Sequence, residues 1–165
     1  MAMGVMGPSV ALALVVLTGA AAHAAPPPPT VHCSAVMLRP QTLDGSHRVV
    51  LDHVAFSRTR VVQATDVGGP LRYSSRWLLF VRPGRTGVTI GVPPAWRTRA
   101  AVSWGGSGVV PAVRFEGCLT PPNLSSGRWN GYVGRFHVRE LGCVPLRIQA
   151  GRRSTTVRFG VGQAC

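Results

Sequence analysis

The sequence predicts an all-β protein: a single antiparallel β-sandwich, immunoglobulin-like or jelly-roll-like, with two disulfides. Three observations lead to this prediction: short apolar runs of strand length, Gly and Pro residues between them, and four cysteines in a chain with an export signal. Hydrophobic residues make up 45% of the 165 positions and charged residues only 14%. Such a composition is typical of a chain that folds around a core rather than of a disordered one.

The apolar runs fall into segments with the length and residue types of β-strands. These segments are 31–37, 48–56, 60–65, 77–82, 88–92, 100–104, 109–116, 132–139, 144–150 and 155–161. Residues 46–60 also fit a helical stripe, but their Val and Phe content favours a strand. The order Cys118, Trp129, Cys143 resembles an immunoglobulin core, yet Leu141 occupies the position of the expected tyrosine corner. The prediction is therefore a generic sandwich.

The N-terminal residues predict export. An apolar run at 10–17 is followed by Ala22-His23-Ala24, which is the A-x-A pattern of a signal peptidase site. We expect residues 1–24 to be a signal peptide, 25–30 a Pro-rich linker and 31–165 the β-sandwich domain. The location is then secreted or extracellular, and no membrane span remains after cleavage.

An even number of cysteines in an exported chain predicts disulfides. Three pairings are possible, and we expect Cys118 with Cys143, and Cys33 with Cys165, the second pair tying the two chain ends to the sheet. Zinc binding is the alternative, but no C-x-x-C motif is present. The sequence predicts neither a metal nor any other cofactor.

All 18 cationic Lys or Arg side chains are arginines, against five acidic residues, so the formal net charge is +13. The period-two pattern of the predicted strands places a subset of these arginines on the side opposite to the apolar residues. The members of this predicted cationic face are Arg114, Arg135, Arg139, Arg147 and Arg158. Arg72, Arg76 and Arg82 lie in other segments and are expected outside it. The face indicates a polyanion-binding surface, and the alternative is a solvated sheet face in an arginine-rich chain.

The segments 102–105 (VSWG), 113–118 (VRFEGC), 129–136 (WNGYVGRF) and 143–165 also carry a resemblance. In these cysteines and aromatic residues the chain resembles a set of uncharacterised small secreted proteins of high-GC Gram-positive bacteria. The resemblance implies export and a β fold. It implies no activity.

Catalytic patterns are weak. The segment 105–109 breaks the G-x-S-x-G elbow at its last position, so Ser107 is expected in a turn. Adjacent Asp52 and His53 should point to opposite faces of a strand, and His137 is expected to be a surface histidine. We therefore expect a non-enzymatic binding or structural module that contacts anionic cell-envelope polymers and has no specific nucleic-acid partner. The alternative is a secreted hydrolase whose site forms no sequence motif.

Overall fold

The computed structural model describes residues 26–58, 61–84, 87–118 and 129–165. Its strands are β1 (Thr30–Val31), β2 (His47–Val50), β3 (Val54–Ser57), β4 (Val61–Val62), β5 (Thr65–Asp66), β6 (Tyr73–Val81), β7 (Val88–Gly91), β8 (Ala100–Trp104), β9 (Ala112–Phe115), β10 (Asn130–Val138), β11 (Gly142–Ala150) and β12 (Arg153–Val161). Two short 3-10 helices, Cys33–Ala35 and Pro94–Trp96, complete the regular structure of these ranges. Over the same ranges, no helix has the length and apolar character that a membrane crossing requires. The predicted signal peptide, 1–24, lies outside the described residues.

The strands form two six-stranded sheets that pack as a sandwich. The first sheet has the order β1-β9-β7-β11-β12-β4. The second has the order β2-β3-β6-β10-β8, and β5 also pairs with β6. All described strand pairs are antiparallel except β1 with β9 and β4 with β12, which are parallel pairs at the two edges of the first sheet. The predicted all-β sandwich with two disulfides is confirmed.

The core between the sheets is built from the alternate residues that face inward. In β10 the side chains of Tyr132, Phe136 and Val138 are buried, whereas Arg135 between them is exposed. In β6, Trp77 and Leu79 are buried on the same side. Aromatic rings meet across the core: Trp77 lies 4.7 Å from Phe136 between ring centroids. Burial of such rings is a main contribution to the stability of a sandwich of this size.

The segment predicted for 46–60 is neither one strand nor a helix over its described residues, 46–58. It folds as a hairpin of β2 and β3, in which Val50 pairs with Val54 around the three-residue turn 51–53. Leu51 and Asp52 take positive φ values of 52° and 62° there. A non-glycine residue with positive φ is uncommon, which is why the composition did not reveal the turn.

The cysteine pairing differs from the predicted one. The bridges are Cys33–Cys118, with Cα atoms 5.6 Å apart, and Cys143–Cys165, with Cα atoms 4.7 Å apart. The first pairing follows from β1 and β9, which run parallel with Val31 opposite Phe115 and so deliver both cysteines to the same end of the sheet. The second forms because the chain turns back after β12 towards the start of β11. Disulfides persist in oxidising compartments, so these bridges indicate a cell-surface or secreted location.

The C-terminal end of the predicted linker, 25–30, is part of the first sheet. Thr30 belongs to β1, and the carbonyl of Pro29 accepts a hydrogen bond of 2.9 Å from the backbone N–H of Arg114. The strand predicted for 31–37 ends at once, because residues 33–35 form a 3-10 turn. The sandwich therefore begins one residue earlier than predicted.

Candidate functional site

The five arginines of the predicted cationic face lie on two different sheets. Arg114, Arg147 and Arg158 are on β9, β11 and β12 of the first sheet, whereas Arg135 is on β10 of the second and Arg139 follows β10. The prediction of one face was wrong. Strand alternation gives the side of its own sheet on which a residue lies, but it does not show which strands belong to the same sheet.

On the first sheet the three arginines are dispersed. Arg114 pairs with Thr89 of β7, and β7 separates it from Arg147 on β11. Arg147 pairs with Thr156, and Arg158 pairs with Pro145, two residues away along β11. These arginines therefore alternate with neutral residues across an open sheet face.

The second sheet presents a more concentrated arrangement. Arg76 of β6 and Arg135 of β10 are directly opposite each other in the antiparallel register, and both are exposed. Arg76 was expected outside the cationic face. The alternation of the strand Tyr73–Val81, in which it is the only charged residue, could have indicated its outward direction but not its partner.

A groove of about 570 Å³ lies on this outer face, beside the two arginines. Ser103 of β8, Val133 and His137 of β10, and the turn 105–109 line the rest of it. The turn is held by two bonds: Ser107 N–H donates to the carbonyl of Trp104 at 3.0 Å, and Trp104 N–H donates to Ser107 Oγ at 3.2 Å. The predicted turn position of Ser107 is confirmed.

His137 contributes a neutral imidazole to the groove. Its Nε2 lies 2.9 Å from Ser103 Oγ, the hydroxyl of the neighbouring strand. Partial burial, and secondarily the positive charge of Arg135, lowers the pKa of His137 from its ordinary value of 6.5. The ring is therefore uncharged at neutral pH, and it is a half-buried groove residue rather than the solvated surface histidine that was expected.

No acidic side chain neutralises Arg76 or Arg135. All five acidic residues lie in described ranges, and each is bound to a basic group elsewhere. The pairs are Asp44–His47 (2.8 Å), Asp52–Arg153 (3.3 Å), Asp66–Arg72 (2.7 Å), Glu116–His32 (2.8 Å) and Glu140–Arg99 (3.5 Å). Among the described residues, the side chain of Arg135 donates one long bond of 3.4 Å, to Ser74 Oγ. Among the described residues, no acidic side chain pairs with either of these two neighbouring arginines.

A second basic surface lies at the side of the sandwich. Arg48, Arg58 and Arg158 line a cleft of about 400 Å³ next to Cys165. Arg58 donates from Nε to the carbonyl of His47 at 3.0 Å, which fixes its direction. This cleft is distinct from the groove and provides arginines for control variants.

One group of cysteine and glutamate side chains among the described residues has the spacing of a metal site, so it bears on the zinc alternative. Cys33, Cys118 and Glu116 place their ligand atoms within 4.8 Å of one another. The two sulfur atoms are bonded to each other, so neither is a thiolate that could bind zinc. Glu116 accepts bonds from the ring of His32 and from the N–H of Cys33, and these bonds lower its pKa. The cluster is explained by its structural bonds.

Comparisons with known proteins add the following. No protein-family model matches the sequence, and no curated protein matches it. A solved structure that matches part of this chain is described as "Crystal structure of the S-layer protein SbsC domains 4 and 5", at 14% sequence identity and a TM-score of 0.38. The match covers 69% of this chain and 53% of that chain, so it spans about half the length of that structure. Function has to be inferred from the groove itself.

Proposed function

We propose that the protein is a secreted, non-enzymatic module that binds anionic cell-envelope polymers in the groove of the second sheet. One observation carries the proposal: Arg76 and Arg135 face each other across neighbouring strands, and every carboxylate that could neutralise them is paired elsewhere. Like charges directly opposite in a sheet are destabilising. An external anion between the two guanidinium groups would remove that repulsion and accept bidentate hydrogen bonds.

The rest of the protein supports this role. The two disulfides and the predicted signal peptide of residues 1–24 support a role outside the cytosol, where envelope polymers are abundant polyanions. A net charge of +13 attracts polyanions over a long range and accelerates encounter. The groove then supplies the short-range contacts.

The test is retention of the mature protein on purified Gram-positive cell walls across a salt series. We expect strong retention at low salt that falls steeply with ionic strength, since the contacts are electrostatic and exposed. The double variant Arg76→Gln/Arg135→Gln should lose most of this retention. The control Arg114→Gln/Arg147→Gln removes the same charge from the first sheet and should keep it.

Two outcomes contradict the proposal. Equal losses in both double variants would mean that net charge alone holds the protein to the wall. Unchanged retention of the groove variant would mean that Arg76 and Arg135 are solvated surface residues. Thermal unfolding of both variants establishes that the fold is intact.

A hydrolase is the second candidate, and the contact between Ser103 and His137 favours it. A serine hydroxyl 2.9 Å from an uncharged imidazole, inside a groove, has the distance required for a nucleophile and its general base. The third group is missing, because all five acidic side chains are engaged elsewhere and none orients the imidazole. This absence favours the binding module.

Labelling with a fluorophosphonate probe distinguishes the two candidates. We expect no covalent modification of the mature protein. Modification at Ser103 that disappears in the His137→Gln variant would establish the hydrolase instead.

A further inference from the structure

The two guanidinium groups line a second groove as well as the first. A groove of about 580 Å³ is also lined by Arg76 and Arg135, and Gln63, Thr65 and Ser74 contribute to its lining. Arg76 and Arg135 line both grooves, and the second groove extends to β4 at the edge of the first sheet. The pair is therefore the shared boundary of two grooves rather than the end of one.

Residues that line the two grooves lie on four neighbouring strands of the second sheet. Thr65 is on β5, which pairs with β6; β6 pairs with β10, and β10 pairs with β8, which carries Ser103. Three strand spacings of about 4.8 Å each give a path of roughly 14 Å. A single small anion would fill only the centre of such a path.

We infer that the site binds a linear polymer of polyols or sugars joined by phosphodiester groups, which crosses the strands with one phosphate between Arg76 and Arg135 and its neighbouring units in the two grooves. This inference rests on the proposed binding function and specifies its ligand. A phosphodiester lies in the main chain of its polymer, so the polymer continues on both sides of the charge. The carboxylate of an acidic sugar is a side group and places the charge beside the path.

The lining of the grooves fits hydroxylated units. One groove offers the hydroxyl of Ser103 and the imidazole of His137, and the other offers the side chains of Gln63, Thr65 and Ser74. These groups are neutral and donate or accept hydrogen bonds. A polymer of alternating charged and hydroxylated parts matches the alternation of arginines and neutral polar groups along the path.

The same lining disfavours nucleic acid, whose main chain also contains phosphodiesters. Single-stranded nucleic acids are bound mainly by stacking of bases on exposed aromatic rings. The aromatic residues at the two grooves, Trp104 and Trp77, are 1% and 6% exposed, so neither offers a ring face. The described walls of the grooves thus lack a stacking platform.

The test is a length series of poly(glycerol phosphate) oligomers, titrated into the mature protein by calorimetry at low salt. We expect weak binding of inorganic phosphate, an increase of affinity with each added unit until both grooves are occupied, and a plateau beyond that length. Arg76→Gln/Arg135→Gln should lower the affinity of every oligomer by at least about a hundredfold, since each arginine supplies a charged hydrogen bond. Gln63→Ala/Thr65→Ala should leave the shortest oligomer unaffected and remove the gain on lengthening, while Arg48→Gln/Arg158→Gln in the side cleft should change little.

The failures of the two proposals are distinguishable. If the arginine variant loses binding but the affinity does not depend on oligomer length, the binding function stands and the crossing path is wrong. If the arginine variant binds like the parent, the binding function itself is wrong. Equal or tighter binding of oligouronates or of single-stranded DNA of the same charge would overturn the assignment of the ligand.

Discussion

The indole ring of Trp104 lies directly against the backbone of Gly134, its partner on the neighbouring strand. A Cβ atom on residue 134 would overlap the ring and the carbonyl of Ser103. Trp104 is 1% exposed, and its Nε1 is a buried polar atom without a partner among the described residues. The glycine thus allows a large side chain to close the core beneath the groove.

We expect Gly134→Ala to destabilise the fold, because overpacking of a core costs about 1–3 kcal/mol or more. The measurement is the free energy of unfolding in urea. Gly45→Ala is the matched control, since a Cβ at that position meets no atom within 4 Å. Equal stability of the two variants would contradict the close contact between Trp104 and residue 134.

The two disulfides should contribute unequally to stability. The Cys33–Cys118 bridge spans 85 residues of sequence and the Cys143–Cys165 bridge 22. The chain-entropy model gives about 4–5 kcal/mol for the long loop and about 3 kcal/mol for the short one. We expect the Cys33→Ser/Cys118→Ser variant to unfold at lower denaturant than Cys143→Ser/Cys165→Ser. Non-reducing peptide mapping checks the connectivity, and a peptide joining Cys118 to Cys143 would refute it.

His137 should titrate below its ordinary pKa of 6.5, chiefly because it is partly buried and secondarily because Arg135 is on the same strand. Arg76, which is opposite Arg135 on β6, also lies on this face, and the residues of β8 that pair with β10 are neutral. NMR titration of the ring measures the pKa. We expect Arg135→Gln to raise it, and a bound polyanion to raise it further, because a nearby negative charge stabilises the imidazolium.

The lowered pKa of His137 also makes the free energy of unfolding depend on pH. A histidine whose pKa is lower in the folded state binds its proton more readily when unfolded. The contribution of His137 is therefore fully present above about pH 6.5 and is lost as the pH falls through this range. His137→Gln should flatten the unfolding free energy between neutral and mildly acidic pH. An unaltered slope in this variant would place the responsible group elsewhere.

If the predicted signal peptide is cleaved at its A-x-A site, the mature protein should begin near Ala25, and the two disulfides should leave it without a reactive thiol. Intact mass and thiol titration under denaturing conditions check both points. Uncleaved chain in the membrane fraction would contradict secretion, and two or more reactive thiols would contradict the bridges.

The class of fold was determined by local patterns. Alternation of apolar and polar residues in segments such as 132–139 and 155–161 requires a half-buried strand, and the position of Ser107 between glycines requires a turn. These patterns depend only on neighbours in sequence, so the sequence alone was sufficient to predict the sandwich and the turn at Ser107, but not the turn at 51–53.

The tertiary structure decided which distant residues meet. Cys33 reaches Cys118 because β1 adds to the edge of β9, and Arg135 is separated from Arg147 because β10 and β11 belong to different sheets. Arg76 is opposite Arg135 through a strand register that pairs two residues more than fifty positions apart in the sequence. Strand alternation has the same period in either sheet, so it cannot identify the partner of a strand. Pairing depends on how the buried side chains of the whole chain pack together, and it is this packing that forms the candidate site.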